Sequence, residues 1–223
     1  GSVRAGPGLG WKHVRSLGLE LPSEPFDIAV GPRDGLLYIA DSLKHKIIVM
    51  DPTSGKVLRW LREQRGDYLL NSPCSVSFSH SGLLCVADSG KSRVLLLRAA
   101  DGRLIRQLGA PAEPEQSRGG LAFPFSLSTP PPGEDLPGGT DGGVWVADPR
   151  GRRAVCLDGR TGRELAEILG GDAERLKWPN GVQVVAGGQG VAGGCVWVSD
   201  SGRNLVRRFD ILSGEETARA GEE

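Results

Sequence analysis

A short apolar run that ends in aspartate occurs four times along the chain, and it constrains the fold more than any other feature. The runs end at Asp41, Asp88, Asp148 and Asp200, and a glycine follows each aspartate after 14 residues. These glycines are Gly55, Gly102, Gly162 and Gly214, and the prolines that open an earlier apolar run in each unit are Pro25, Pro73, Pro124 and Pro179. A spacing that repeats without gaps indicates a repeat architecture.

Each unit has the pattern of four short strands. Strand a follows the proline, and strand b ends at the aspartate and is almost wholly apolar, which favours burial on both faces. Strand c is a second apolar run, and a turn with glycine leads to strand d, in which apolar and polar residues alternate. Repeated four-stranded antiparallel units are typical of propeller blades. We therefore predict an all-β fold, a β-propeller with four recognisable blades and strand a innermost.

The expected organisation is a tag remnant or linker at residues 1–10 and a single propeller over residues 11–223. The blades are expected at about residues 19–64, 65–116, 117–171 and 172–223. Two insertions rich in glycine or proline, at 129–143 and 186–194, fall between strands a and b and predict loops. Residues 11–17 are expected to add one outer strand that covers a sheet edge.

The segments that begin at three of the aspartates resemble the Asp-Ser-Gly-Asn-His-Arg-Ile-Gln-Val-Phe core of the NHL repeat. They read Asp41-Ser42-Leu43-Lys44-His45-Lys46, Asp88-Ser89-Gly90-Lys91-Ser92-Arg93 and Asp200-Ser201-Gly202-Arg203-Asn204. The resemblance extends over residues 25 to about 216. It departs from the family at Pro149-Arg150, where Ser-Gly is expected, and at Leu205, where a basic residue is expected. Family members also usually have six blades.

NHL domains are best known as the C-terminal module of tripartite-motif RING ubiquitin ligases. In those proteins the propeller selects RNA or protein partners, and a separate RING domain transfers ubiquitin. The resemblance therefore implies a non-catalytic recognition domain of an E3 ubiquitin ligase.

The composition and motifs exclude several other classes. The net charge is +0 at pH 7, so no whole-chain field attracts nucleic acid or membranes. No apolar run approaches the roughly 18 residues of a membrane helix. The chain has no nucleophile elbow, phosphate loop or dinucleotide fingerprint, and His13, His45 and His80 share no metal-binding motif. We expect no catalytic residue, no metal, no cofactor and no membrane partner.

The four cysteines, Cys74, Cys85, Cys156 and Cys195, show no metal-ligand spacing. They lie in strand-like runs, which predicts free buried thiols in a reducing compartment and favours a cytoplasmic protein. A disulfide pair is the alternative that the sequence leaves open.

The distribution of charge over the loops points to a binding face. The five positions after each strand-b aspartate hold eight of the 27 basic residues, about three times an even share. With one histidine, the predicted nucleic-acid-binding residues are Lys44, His45, Lys46, Lys91, Arg93, Arg150, Arg152, Arg153 and Arg203. The turns between strands c and d carry Asp51, Asp101, Asp158 and Asp210 instead. Since antiparallel strands put these two sets of loops at opposite ends, one face is expected to be basic and to bind an RNA or DNA backbone.

A structural role competes with binding at some of these positions. Lys46, Arg93 and Arg153 stand five residues after an aspartate and are predicted to pair with Asp41, Asp88 and Asp148. The others, Lys44, Lys91, Arg150, Arg152 and Arg203, form either a phosphate-binding rim or a solvated rim. Acids of the d–a connections, which share this face, offset part of its charge, and they are Glu20, Glu24, Glu63, Glu113, Glu115, Asp172 and Glu174.

Aromatic residues near this face are the second indicator, because bases stack on exposed rings. Tyr68, Phe123 and Trp178 lie in or near the d–a connections, where packing between blades is the alternative role. Trp145 and Trp197 lie inside strand b and are predicted to be core. The alternative function is a protein–protein module that recruits ubiquitination substrates and binds no nucleic acid.

Overall fold

The computed structural model describes residues 23–61, 69–111, 120–130, 143–171, 174–185 and 194–221. Four sheets, each of four antiparallel strands in chain order, make up almost all of the regular structure. The prediction of an all-β propeller fold with four-stranded blades is confirmed. No helix in the described ranges is long and apolar enough to cross a membrane.

The first two blades are separated in the sequence by residues 62–72. Blade 1 consists of β1 (Pro25–Val30), β2 (Leu37–Asp41), β3 (Lys46–Met50) and β4 (Val57–Leu61). Blade 2 consists of β5 (Pro73–Phe78), β6 (Leu83–Asp88), β7 (Arg93–Arg98) and β8 (Leu104–Leu108). After it, β9 (Ala110–Pro111) and β10 (Gly120–Leu121) form a short parallel pair.

The last two blades contain the predicted insertions. Blade 3 consists of β11 (Ser126–Ser128), β12 (Gly143–Asp148), β13 (Arg153–Asp158) and β14 (Glu164–Ile168). Blade 4 consists of β15 (Pro179–Val185), β16 (Cys195–Asp200), β17 (Leu205–Asp210) and β18 (Glu216–Gly221). The long connections fall between strands a and b of both blades, where the sequence predicts them.

The repeated glycine is required by the turn between strands c and d. Gly55, Gly102, Gly162 and Gly214 have φ values of +73°, +73°, +76° and +71°. Each of them donates its N–H to the carbonyl four residues earlier, at 2.7–2.9 Å. Glycine adopts this left-handed conformation without a steric penalty, so the turn accounts for the glycine in every unit.

The first strands of the blades lie innermost and pack against one another in chain order, β1 on β5, β5 on β11 and β11 on β15. Side chains on one inner strand accept hydrogen bonds from the backbone of the next. The Val76 N–H donates to the Asp27 carboxylate at 3.0 Å, and the Leu127 N–H donates to Ser75 Oγ at 3.1 Å. The same kind of contact joins β11 to β15. These bonds hold the blades around a common axis.

The core lies between the blades. Tyr38 and Ala40 of β2 pack with Leu84 and Val86 of β6, and equivalent clusters join blades 2 and 3 and blades 3 and 4. All four cysteines are buried and none of them is in a disulfide, as predicted. Trp145 is fully buried, as predicted. The prediction that Trp197 is also a core residue is wrong, because it is only partly buried, on the face of blade 4 that does not pack on blade 3.

The four described blades form an arc. Among the described residues, β15 of blade 4 is not packed on β1 of blade 1 in the way that joins the other inner strands. The sheets at the two ends of the arc therefore each have one face with no neighbouring sheet among those described. Residues 11–17, predicted as an added outer strand, lie outside the described residues.

Candidate nucleic-acid interface

The aspartate that ends strand b holds the d–a connection beside the b–c loop on the predicted basic face. Its side chain is fully buried in all four blades. Asp148 accepts hydrogen bonds from the N–H groups of Ala122 and Phe123 at 3.0 and 2.7 Å. Asp200 accepts them from Lys177 and Trp178 at 3.1 and 2.8 Å. Each d–a connection is thereby fixed beside the b–c loop of its own blade.

The same arrangement is present in the first two blades. Asp41 accepts from the Glu24 N–H at 3.2 Å, and Asp88 accepts from the Asn71 N–H at 2.6 Å. Burial raises the pKa of the Asp88 carboxyl, against the opposing effect of the Asn71 N–H and the nearby Arg93 guanidinium. A buried carboxylate is stable only where hydrogen-bond donors surround it. The aspartate recurs because in each blade it accepts these bonds and so fixes the d–a connection.

The b–c loops share one backbone turn. His45, Ser92, Arg152 and Asn204 each stand four residues after the aspartate and have φ values of 52°, 53°, 55° and 57°. Each donates its N–H to the carbonyl three residues earlier. The four loops therefore project their side chains in the same way. His45 also receives the Ser72 N–H on Nδ1 at 2.9 Å, so this nitrogen serves the fold.

Two of the predicted ion pairs are confirmed. Arg93 Nε lies 2.7 Å from the Asp88 carboxylate, and Arg153 Nε lies 3.7 Å from Asp148. Arg153 is buried and also contacts Glu164 and Glu167 at 3.2 and 2.7 Å. Burial lowers the pKa of Arg153, but these carboxylates together raise it. Both arginines are therefore engaged in holding the blade.

The third predicted pair, Asp41 with Lys46, is wrong. The Lys46 ammonium lies 4.9 Å from the centre of the Trp60 ring, and no contact within ion-pair distance joins it to Asp41. The Asp41 oxygens are occupied instead by the Ser23 hydroxyl at 2.8 Å and by the Lys44 N–H at 3.2 Å, besides Glu24. With these donors in place the carboxylate is satisfied without the lysine.

Blade 4 shows a partner that the repeat pattern did not predict. Leu205 stands at the basic position, and Arg207, two residues further along β17, places Nη1 3.8 Å from the Asp200 carboxylate. Arg207 is fully buried, pairs with Glu216 and donates to the Glu174 carbonyl at 2.8 Å. The available signal was an arginine at an inward position of an alternating strand.

Apart from Arg203, the remaining basic residues of the predicted rim form no ion pair with a described carboxylate. Lys44, Lys91, Arg150 and Arg152 form no ion pair with any described residue, whereas Arg203 Nε lies 3.9 Å from Asp200. Lys44, Arg150 and Arg152 are exposed. Charge therefore persists on the b–c loops of the first three blades.

Two contacts link the rim to neighbouring d–a connections. Arg152 of blade 3 donates from Nε to the Leu176 carbonyl of blade 4 at 3.2 Å, and Arg203 donates to the Arg175 carbonyl at 2.9 Å. Arg175 and Lys177 are themselves exposed, and a β-carbon at Gly202 would lie 3.0 Å from the Lys177 side chain. The repeat pattern does not predict these two basic residues, because it places the basic rim on the b–c loops alone.

The acids that could offset this charge are mostly outside the described residues. Those outside are Glu20, Glu63, Glu113, Glu115 and Asp172, together with the aromatic Tyr68. Of the two described, Glu174 pairs with Arg219, and Glu24 is exposed.

The two described aromatic residues differ in their surroundings. Phe123 is half-buried, with the Arg150 guanidinium 4.7 Å from its ring centre and Phe125 at 6.2 Å. Trp178 is exposed beside Lys177. The Arg150 guanidinium lies over the Phe123 ring, and the Trp178 ring is open to solvent. Both arrangements are compatible with stacking of bases as well as with packing between blades.

Acids at the opposite end of the blades serve the c–d turns. Asp158 accepts from the N–H groups of Arg160 and Thr161, and these bonds, the Thr161 N–H first, lower the pKa of its carboxyl. Asp101 pairs with Arg98, which lowers its pKa to about 2. Among the described residues no cluster of histidine, cysteine and acidic side chains could hold a metal ion.

The described residues form four four-stranded antiparallel sheets arranged as in β-propeller-like proteins. No protein-family model matches the chain, and no curated protein matches its sequence.

Solved structures match the fold. Virginiamycin B lyase from Staphylococcus aureus has a TM-score of 0.59 at 14% identity, over 86% of this chain and 54% of that one. Kuenenia stuttgartiensis hydrazine synthase has a TM-score of 0.63 at 16% identity, over 96% and 53%. A streptogramin B lyase has a TM-score of 0.62 at 14% identity, over 92% and 57%. The chain spans slightly more than half the length of these propeller-like structures, and such identities establish the fold alone.

Proposed function

We propose that this chain is a non-catalytic recognition domain that binds an RNA or DNA backbone through its basic face. The observation that carries the proposal is a set of basic side chains that form no ion pair with a described carboxylate, on loops that buried aspartates hold at one end of the blades. These side chains are Lys44, Lys91, Arg150 and Arg152. Lysine and arginine suit phosphate because they present charge and several donors.

The ion pairs narrow the set of binding residues. Arg93 and Arg153 are engaged with buried acids, so they contribute less to binding. The proposed rim consists of Lys44, Lys91, Arg150, Arg152 and Arg203, extended by Arg175 and Lys177. Contacts of this kind read the backbone, so we expect weak sequence preference.

We further propose, from the sequence resemblance, that the domain is the NHL-type propeller of a cytoplasmic tripartite-motif RING ubiquitin ligase. The finer assignment, to a protein similar to tripartite motif-containing protein 56, rests on general likeness of sequence and on no diagnostic motif. In such a ligase the propeller would choose the target, and ubiquitin transfer would belong to the RING domain.

The direct test is a salt titration of binding to a short duplex and to a single strand. Phosphate contacts release counterions, so the logarithm of the binding constant should fall linearly with the logarithm of salt concentration. Absence of binding to both probes at low salt would contradict the proposal.

Charge reversal locates the binding face. Arg150→Glu with Arg152→Glu should weaken binding at least 10-fold. The free energy of unfolding should fall by no more than about 1.5 kcal/mol, the usual worth of a hydrogen bond such as the one that Arg152 donates to the Leu176 carbonyl. The matched control is Arg160→Glu, on the opposite face. Equal losses in both proteins would mean that the attraction is diffuse and that the rim has no special role.

A protein partner is the second candidate, and exposed apolar residues on the same face favour it. Leu43 lies in the b–c loop of blade 1 and Leu69 in the d–a connection of blade 2, and both are exposed. A ubiquitination substrate would pack on such residues and use the charge for orientation. Leu43→Ser would then weaken substrate capture, and the wild-type chain would bind neither nucleic-acid probe at low salt.

A further inference from the structure

One position in the b–c loops fastens each loop to the connection that precedes the next blade. It is the left-handed residue four positions after the strand-b aspartate. In blade 2 the Ser92 hydroxyl donates to the Ala122 carbonyl at 2.8 Å. In blade 3 Arg152 Nε donates to the Leu176 carbonyl at 3.2 Å. We call such a bond, from this position to the next d–a connection, a clasp.

The clasp between blades 1 and 2 runs in the opposite direction. His45 stands at the same place, and its Nδ1 accepts the Ser72 N–H at 2.9 Å. A serine hydroxyl and an arginine guanidinium keep their protons at any physiological pH, so the other two clasps do not change with acidity. An imidazole nitrogen accepts a hydrogen bond only while it carries no proton, and histidine ordinarily changes charge between about pH 5 and 8. Of the three clasps in the described blades, this is therefore the one that acid can break.

The backbone that this clasp holds is strained. Ser72 has φ of +48°, and the residues at its place before the other strand-a prolines, Glu24, Phe123 and Trp178, have no positive φ. A residue before proline prefers an extended backbone, because the proline ring clashes with its other conformations. A residue other than glycine stays in the left-handed region only where its surroundings hold it there. The bond to His45 is one of the contacts that keep Ser72 from its preferred conformation.

The rest of this connection is held by contacts that involve no histidine. Asn71 donates its N–H to the buried Asp88 carboxylate at 2.6 Å and its side-chain amide to the Gly90 carbonyl at 3.3 Å. Leu70 is buried in the apolar cluster between blades 1 and 2. Loss of the clasp would therefore release Ser72 and leave the two residues before it in place.

The charged groups around the clasp do not compensate for its loss. The carboxylates at the base of the two loops, Asp41 and Asp88, already accept hydrogen bonds from other groups. The other titratable side chains on the adjoining described elements are Glu24, Lys44, Lys46, Cys74, Lys91 and Arg93. Lys46 lies over the Trp60 ring, and burial raises the pKa of the Cys74 thiol, which stays neutral. None of the ion pairs among the described residues involves His45, so a protonated ring has no carboxylate partner there.

We propose that the His45 clasp is a pH-sensitive joint between blades 1 and 2. While the ring is neutral, its proton is on Nε2 and Nδ1 accepts the Ser72 N–H. When Nδ1 takes up a proton, two donors face one another, the bond breaks, and Ser72 relaxes to an extended backbone. The clasp is thus present at neutral pH and is lost as the pH falls. The b–c loop that presents Leu43 and Lys44 is then no longer fixed to the connection of blade 2, whatever ligand this face binds.

Nuclear magnetic resonance of the full chain tests the clasp directly. As the pH is lowered from about 8 to about 5, the Ser72 amide resonance should shift together with the His45 ring resonances. The protection of this amide against hydrogen exchange, corrected for the intrinsic effect of pH, should fall by about 10-fold, as expected for the loss of one hydrogen bond. The Ala122 and Leu176 carbonyl resonances, which report the other two clasps, should not move.

The variant His45→Asn keeps the acceptor and removes the titration. Asparagine accepts the left-handed backbone, as Asn204 does at the same place in blade 4, and its Oδ1 stands on Cγ as histidine Nδ1 does. Because this oxygen takes up no proton in the same range, the Ser72 amide should stay protected in acid. The control is His80→Asn, which changes an exposed histidine in the a–b turn of blade 2 and should respond to acid as the wild type does.

Three results would overturn the proposal. A Ser72 amide that stays unchanged while the His45 ring titrates would show that the ring does not hold it. The same loss of protection in the His45→Asn chain, or no loss in the His80→Asn chain, would assign the response to another group. Movement of all three clasps together would show that acid acts on the face as a whole.

Discussion

Arg207 does in the fourth blade what Arg93 and Arg153 do in the second and third. Each brings a guanidinium to the buried aspartate that ends strand b, at 3.8, 2.7 and 3.7 Å. The position in the sequence differs, because Leu205 occupies the usual place and the arginine comes from an inward position two residues later. A guanidinium thus lies beside the buried aspartate in this blade too, although the arginine comes from a different position in the repeat.

Substitution of Arg207 by methionine should therefore be costly. Removing Arg207 leaves the buried Asp200 and the partly buried Glu216 without the guanidinium that they share, and the free energy of unfolding should fall by about 3–5 kcal/mol. Urea unfolding measures this change. The control is Arg203→Met, whose side chain is partly exposed and 3.9 Å from the same carboxylate, and it should cost under about 1 kcal/mol. Similar losses in the two proteins would show that Arg207 does not hold this blade.

The cysteines give a second residue-scale prediction. Burial raises the pKa of both Cys85 and Cys156 to about 12, so their reactive thiolates are scarce at neutral pH. Iodoacetamide at pH 8 should leave both unmodified in the native protein and label both in urea, as read by mass spectrometry. Ser54→Cys in an exposed turn provides the positive control. Rapid native labelling of Cys85 would be incompatible with its burial.

At the element scale, the sequence pattern was sufficient to predict the strands and turns. It was not sufficient to predict which strand faces are exposed. The spacing from aspartate to glycine predicts a turn, and the glycine of this turn has a positive φ in every copy. The geometry of this turn is therefore determined by the local sequence. Trp197 shows where this ends. Its strand reads like the others, but its side chain is only partly buried, and burial of this kind depends on packing that the strand's own sequence does not record.

The candidate site was predictable to a similar extent. The b–c loops and their basic residues follow from the repeat, but the pairing of each one depends on its neighbours. Lys46 lies over Trp60 because Asp41 is already satisfied by other donors. Arg175 and Lys177 join the rim because Asp200 and Arg203 hold their segment in place, a contact between distant parts of the chain that no local pattern records.

The c–d turn can be tested by one substitution. Gly214 has φ of +71°, and a β-carbon added at this position would have no neighbouring atom within 4 Å, so Gly214→Ala introduces backbone strain and no clash. We expect a loss of about 1 kcal/mol in the free energy of unfolding. Gly171→Ala is the matched control, since that glycine also has open space but no positive φ. A melting temperature that is equal in both variants would argue against strain at this turn.

At the scale of the whole molecule, charge is separated although the total is +0. The b–c loops carry cations that no described carboxylate neutralises, and the c–d turns carry aspartates that cap backbone N–H groups. We therefore expect the protein to be retained on a heparin column at low salt, because local fields act over about a Debye length of 10 Å at 0.1 M salt. Arg150→Glu with Arg152→Glu should elute earlier than Arg160→Glu. Passage of the wild-type protein without delay would show that the separation is too weak to act.

The shared turn of the b–c loops has a consequence for how such a surface changes. The buried aspartate and the left-handed residue four positions later fix the backbone, and the interval between them holds buried residues, such as Ser42 and Ser89, as well as exposed ones, such as Leu43 and Lys44. Leu43-Lys44, Gly90-Lys91 and Gly202-Arg203 occupy this interval in three blades with quite different chemistry. The exposed members of this interval, such as Leu43 and Lys44, act as display positions, whereas a β-carbon at Gly90 or Gly202 would press on the d–a connection. The face can therefore acquire a new partner by substitution at the exposed positions while the framework beneath it stays constant.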